Sequence, residues 1–214
     1  MKYIVYLLLP LLFVACGKKQ KEIKPPTPPK KENNQTISTV KIPPVEEIIL
    51  EEPKIDTTYE ITANDELISH GTATKIVVLK SKRVMVLFDK DGNVLSRHRL
   101  SLGKNNVGQK LKEGDYKTPE GTYRIIDKRP DKVYYKELLL DYPHKEDIER
   151  SKKLGFSAGG GITIHSQPNW NWDGHGDDYT LSNDWTEGCI AITKKGMDTI
   201  WDMIPLGTEI EIRE

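Results

Sequence analysis

The chain has 214 residues, enough for one domain of ordinary size and an additional segment, and 36% of them are hydrophobic. Its 32 Lys and Arg balance 32 Asp and Glu, a formal net charge of zero. With no arginine stripe or recognition helix in the sequence, that balance excludes the electrostatic footprint of a nucleic-acid-binding protein.

The first segment is Met1-Lys2, then an apolar run from Tyr3 to Ala15 broken only by Pro10, then Cys16-Gly17-Lys18-Lys19. One positive residue, a short apolar core and small residues at its end form a secretory signal. The run is too short for a bilayer-spanning helix, which takes about 20 residues. Phe13-Val14-Ala15-Cys16 resembles a bacterial lipobox, with Phe13 where Leu is commoner, which implies that Cys16 is lipidated and opens the mature protein. Lipid on Cys16 would hold the protein to a membrane, at about 0.8 kcal/mol per buried methylene. Gly17 leaves no acidic inner-membrane retention residue after the cysteine, so the expectation is a periplasmic protein anchored to the outer membrane.

From Lys18 to about Thr57 the chain is rich in Lys, Glu, Pro, Asn and Thr, with Pro25-Pro26-Thr27-Pro28-Pro29 and Pro43-Pro44. Paired prolines favour polyproline II and remove backbone donors, so residues 17–58 read as a disordered tether. At about 3.1 Å per residue its full reach is on the order of 100 Å. The folded domain is expected over residues 59–214, with order beginning by Lys75.

Ile76 to Leu79 and Val84 to Phe88 are β-rich runs around a Ser81-Lys82 turn, and Asp91-Gly92 leads into a strand from Val94 to Leu102. Gly121 to Ile126 and Glu137 to Leu140 are further strands, and Asp147 to Leu154 is a short helix ending near Gly155. Gly161 to His165 reads as a buried strand that emerges at His165. After Cys189 to Ile192, Thr193 caps a helix whose Met197, Ile200, Trp201 and Ile204 face the core, and Pro205 and Gly207 stop it. Thr208 to Ile212 is the closing strand. The fold class is mainly β, with two or three short helices.

If Cys16 carries lipid, Cys189 is the remaining thiol of the chain, which has 2 cysteines, and no internal disulfide forms. A free thiol is mostly protonated at neutral pH and needs a base or cation to act as a nucleophile. His165-Ser166 at a strand end, with Glu187-Gly188-Cys189 further on, supplies an imidazole, a glycine permitting close approach of a carbonyl, and backbone N–H groups for an oxyanion. The competing constellation is a zinc site from His165, His175 and Cys189 with Asp173, Asp177 or Asp178, although no compact ligand pair is present.

Three segments in order, Asp115-Tyr116-Lys117-Thr118-Pro119-Glu120-Gly121-Thr122-Tyr123-Arg124-Ile125, Gly159-Gly160-Gly161-Ile162-Thr163-Ile164-His165 and Asp184-Trp185-Thr186-Glu187-Gly188-Cys189-Ile190-Ala191-Ile192-Thr193, resemble the L,D-transpeptidase (YkuD-like) catalytic domain. The resemblance covers roughly Lys75 to Ile212 and implies a mixed, mainly β sandwich. It implies acyl transfer on peptidoglycan stem peptides through a Cys189 thioester, without metal or other cofactor. His165 is then the base, the Ser166 carbonyl orients it, and the Gly188 and Cys189 N–H groups bind the oxyanion. Trp185, Thr186 and Glu187 line the substrate. Two departures, Glu187 where the family commonly has His and Ala191 where it commonly has Arg or Asn, resemble the divergent YafK-like and ErfK-like branch. That branch leaves hydrolysis (an L,D-carboxypeptidase or amidase) open beside transfer. A catalytically silent peptidoglycan-binding lipoprotein is a third reading.

Trp170, Trp172 and Trp185 flank the site and either wall a groove or, the favoured expectation, pack the loop down. Lys117 and Arg124 either meet a carboxylate of the stem peptide or, the default expectation, are surface charges; His175 is a solvated loop residue, and His70, His98 and His144 have no evident partner in the sequence.

Overall fold

A computed structural model describes residues 64–168 and 176–214. Cys16, the tether, Trp170, Trp172, Asp173 and His175 lie outside the described residues.

The strands are β1 (Asp65–Leu67), β2 (Lys75–Leu79), β3 (Val84–Phe88), β4 (Val94–Arg99), β5 (Gly121–Asp131), β6 (Tyr135–Leu140), β7 (Thr163–Ser166), β8 (Ile190–Ile192) and β9 (Glu209–Arg213). The helices are α1 (Lys145–Lys153), α2 (Asp177–Thr180) and α3 (Lys194–Trp201). The strand order is β1-β4-β3-β2-β9-β5-β6-β7-β8, with β2–β9 and β7–β8 parallel and the other pairs antiparallel.

β5 is the corner of this sheet. Gly121–Arg124 pair with β9, and Ile125–Asp131 pair with β6 after a register shift between Ile125 and Asp127. Such irregularities bend a strand and let a sheet fold over. At the far edge, Ser101 and Gly103, just past β4, bridge to Ala191 and Thr186. The two halves therefore meet again beside β8. The enclosed core holds Ile76, Val78, Met85, Leu87, Ile125, Leu138, Ile164, Ile190, Ile192, Ile210 and Ile212. β9 shows why the pattern works: Ile210 and Ile212 face inward, while Glu209 and Glu211 face outward toward Lys75.

α3 packs Met197 and Ile200 into the core. Thr193 caps it by accepting from Gly196 N at 2.8 Å. Its regular turns end at Trp201, earlier than Pro205 suggests, and Ile204 stays fully buried beyond the end. Two elements escaped the sequence reading. β1 pairs with β4, so order begins before Lys75, and α2 follows the loop after β7.

His98, without an evident partner in the sequence, is fully buried between Asp65 (2.7 Å from Nδ1) and Ser96 (3.0 Å from Nε2). Asp65 also accepts from Thr193, so this cluster ties β1 and β4 to the start of α3. Gly196 is the α3 residue with no room for a side chain, since a Cβ would collide with Asp65. His144 lies 3.0 Å from Asp141 at the entrance to α1, while His70 is exposed.

Candidate active site

β7 runs between β6 and β8, and all four of its residues are buried. Alternation puts Thr163 and His165 on one face. Register then builds a row across four strands: Arg129 opposite Glu137, Glu137 opposite His165, and His165 opposite Ala191.

The sequence suggests that the strand emerges at His165, but the side chain is covered. The residue is only 3% exposed. The Tyr134 ring lies over it with centroids 4.3 Å apart, and Trp185 meets it edge-on at 5.7 Å. His165 Nδ1 is 2.7 Å from the Ser166 carbonyl oxygen. A carbonyl only accepts, so Nδ1 carries the proton and Nε2 keeps its lone pair. Burial holds the imidazole below its usual pKa, against the opposing effects of the Ser166 carbonyl, Glu137 and Asp131. The Ser166 hydroxyl donates to the Tyr134 and Gln167 carbonyls, fastening the β5–β6 hairpin that carries Tyr134.

Cys189 ends a tight turn just before β8. Thr186 Oγ1 accepts from Gly188 N at 3.1 Å and donates to Cys189 O at 2.7 Å, so Thr186 holds the turn together. The Gly188 N–H is thereby engaged within the turn. Gly188 has φ +136°, and a Cβ there would meet the Lys117 carbonyl oxygen at 2.7 Å.

That contact gives the 115–121 segment a physical role. Asp115 fixes the loop by accepting from Lys110 Nζ and from the N–H groups of Leu111, Lys112 and Lys117. Thr118 Oγ1 accepts from Gly103 N at 3.1 Å, which places the loop behind Gly103 and Gly188. Lys117 and Arg124 point elsewhere, to the carbonyls of Val107 and Gly207.

The Cys189 sulfur lies 3.7 Å from both Thr163 Oγ1 and the Gly161 carbonyl oxygen. Burial pushes the thiol pKa up, and Thr163, through its N–H and its hydroxyl, pulls the other way. Both shifts favour a thiol beside a neutral imidazole at neutral pH. This pair suits nucleophilic attack coupled to proton transfer.

Both residues line a cleft of about 440 Å³. Arg129 and Glu137 lie on the β5–β6 side, Lys104 and Glu187 on the side of the Cys189 turn, and Tyr134 and Trp185 form walls. The sequence did not single out Arg129, Glu137, Tyr134, Lys104 or Thr163, because strand register brings them here from separate segments. Period-two alternation within β7 is the signal that could have placed Thr163 on the face of His165. The Trp185 indole N–H is buried without an acceptor among the described residues. Asp178 pairs instead with Asn64, and no group of three metal-ligating side chains gathers among the described residues.

Residues 73–212 match the family model described as the L,D-transpeptidase catalytic domain, YkuD. Two curated proteins named "Putative L,D-transpeptidase YafK", from Escherichia coli strain K12 and Escherichia coli O157:H7, are each 27% identical over 139 residues. These matches cover 63% of this chain and 48% of each relative, so the chain spans about half the length of the curated relatives it matches. The crystal structure of the helical cell shape determining protein Pgp2 from Campylobacter jejuni shares the fold. Its TM-score is 0.53 at 23% identity, covering 72% of this chain and 52% of that one.

Proposed function

Since the chain belongs to the L,D-transpeptidase catalytic domain family, we propose that it is a cysteine acyltransferase acting on peptidoglycan stem peptides. The observation that carries this reading is the convergence of Cys189 and His165 in one cleft, with Nδ1 committed to the Ser166 carbonyl and Nε2 left to accept a proton.

Cys189 Sγ attacks the carbonyl of an L-centre whose peptide bond leads to a D-residue, and its proton passes to His165 Nε2. The tetrahedral oxyanion is held by backbone N–H groups of the turn. Because Gly188 N–H already donates to Thr186, the Cys189 N–H is the principal donor of that turn, and Gly188 contributes when its bond to Thr186 loosens. Collapse breaks the C–N bond, and His165 returns its proton to the leaving amine. An incoming amine then attacks the thioester, His165 takes its proton, and a new amide forms as the thiol is regenerated. Water in place of the amine gives a hydrolase. Trp185 and Tyr134 exclude bulk water from the imidazole, and the role this reading gives to Glu187, which lines the cleft, is to steer the incoming group.

The Cys16 lipobox and the proline-rich segment support an organisation of signal peptide (1–16), tether (17–58) and catalytic domain (59–214). This reading places the domain in the periplasm, held by lipid to the outer membrane within reach of the wall.

Incubation with defined stem peptides, followed by mass spectrometry beside Cys189→Ala, tests the activity. Joined or exchanged peptides that require Cys189 support a transpeptidase, and shortened peptides without joined products support a hydrolase. No Cys189-dependent change defeats both in favour of a binding module.

A further inference from the structure

Arg129 and Glu137 belong to the cleft, yet the acyl-transfer steps leave them without a task. Glu137 is nearly buried, with its side chain 11% exposed, and it faces His165 across one strand spacing. Arg129 donates from Nε and Nη2 to the same oxygen, Glu137 Oε2, at 3.0 and 2.9 Å. Its Nη1 makes a longer, half-exposed ion pair with Asp127 Oδ2 at 3.8 Å. The Arg129 side chain is 52% exposed while lining the cleft. A guanidinium has five donors in a planar fork, so with one edge braced on Glu137 the other can exchange its distant, exposed partner Asp127 for a substrate carboxylate at hydrogen-bond distance.

Distance limits which carboxylate that is. Arg129 stands two strands from His165 in the register row, roughly 10 Å between backbones. An extended arginine spans much of that gap. A carboxylate meeting it lies within about one residue of the attacked carbonyl, since each extended residue adds about 3.5 Å. Lys104, held over the Tyr116 ring at 5.4 Å, also lines the cleft and gives it a second cation. Glu137 and Glu187 line the same cleft and offset these charges, so recognition of a carboxylate rests on the directed donors of Arg129.

We infer that Arg129, braced by Glu137, is a specificity residue that binds a carboxylate on the attacked residue or on its neighbour, so the cleft takes acidic stem peptides over amidated ones. This rests on the proposed acyl-transfer site and names the substrate chemistry within it.

Calorimetry on the full chain carrying Cys189→Ser separates recognition from turnover. The probes are two short peptides with the L-to-D bond, identical except that the carboxylates flanking that bond are free or converted to carboxamides. The acid peptide is expected to bind about ten- to a hundredfold more tightly, as for hydrogen bonds to charged groups. Adding Arg129→Gln should bring that ratio close to one, and Arg129→Lys should restore part of it. An unchanged ratio, equal weakening of both peptides, or binding of neither overturns the inference. The same peptides given to the chain with Cys189 intact read turnover independently. Arg129-dependent discrimination without any product would defeat the acyl-transfer reading and leave the carboxylate site standing.

Discussion

Thr163 Oγ1 donates to the Cys189 sulfur across 3.7 Å, from the strand that runs parallel to β8. This contact opposes the burial that raises the thiol pKa, because it stabilises the negative sulfur. Thr163→Val keeps the shape and removes the hydroxyl. Alkylation of Cys189 at neutral pH should slow by about three- to tenfold, the worth of one modest hydrogen bond. An unchanged rate across the titration would remove Thr163 from the nucleophile's support.

Burial depresses His165 and elevates Cys189, which sets the pH profile. Attack requires His165 Nε2 without a proton, so kcat/KM should fall only as pH drops through a value below the usual imidazole pKa of about 6.5. The same shift links to stability. The unfolded chain binds a proton that folded His165 resists, so this contribution is complete above about pH 6.5 and is lost as pH falls toward the folded pKa. Glu137→Gln removes a charge that raises both groups, and the acid limb should move to lower pH. An acid limb above about pH 6.5 in the unmodified protein contradicts the buried, neutral imidazole.

Lys110 and Asp115 form an ion pair at 2.7 Å with side chains 4% and 9% exposed. Burial raises the Asp115 pKa, but Lys110 and three backbone N–H groups outweigh it and hold the carboxyl below its usual range. Removing one partner leaves a buried charge uncompensated. Lys110→Met should therefore cost about 3 kcal/mol in a urea unfolding curve. The exposed Lys145–Glu149 pair is the control, and Lys145→Met should shift nothing measurable.

Gly188→Ala probes the turn directly. Its φ of +136° and the Lys117 carbonyl 2.7 Å from an added Cβ force the turn to move. A displacement near 1 Å at the nucleophile costs about a hundredfold in rate. Circular dichroism should stay that of the folded protein while kcat/KM falls by about that factor. Full activity would show that the turn geometry does not set the chemistry.

The strands β2, β3 and β9 were legible because β-branched runs and strict alternation are local signals, and the Met197–Ile200 stripe marked α3 in the same way. β1 was not legible. Its Asp65-Glu66-Leu67 carries no apolar pattern and exists through pairing with β4 and the Asp65–His98 contact. Cys189 and His165 stood out through their local sequence, and the structure brings them into one cleft. The Arg129–Glu137–His165 row was hidden because its members come from separate strands, joined only by the register around the shifted pairing in β5. The burial of His165 was missed for a similar reason. Tyr134, which covers it, belongs to a hairpin fastened by the Ser166 hydroxyl.

The most direct measurement of the central claim is an intact-mass spectrum of the protein, acid-quenched soon after mixing with an acidic stem peptide. The expected result is a mass increase equal to the peptide without its leaving D-residue, mapped to Cys189 and absent from Cys189→Ala. Product formation by Cys189→Ala at the unmodified protein's rate, or an acyl group mapped to any other residue, would contradict a Cys189 thioester.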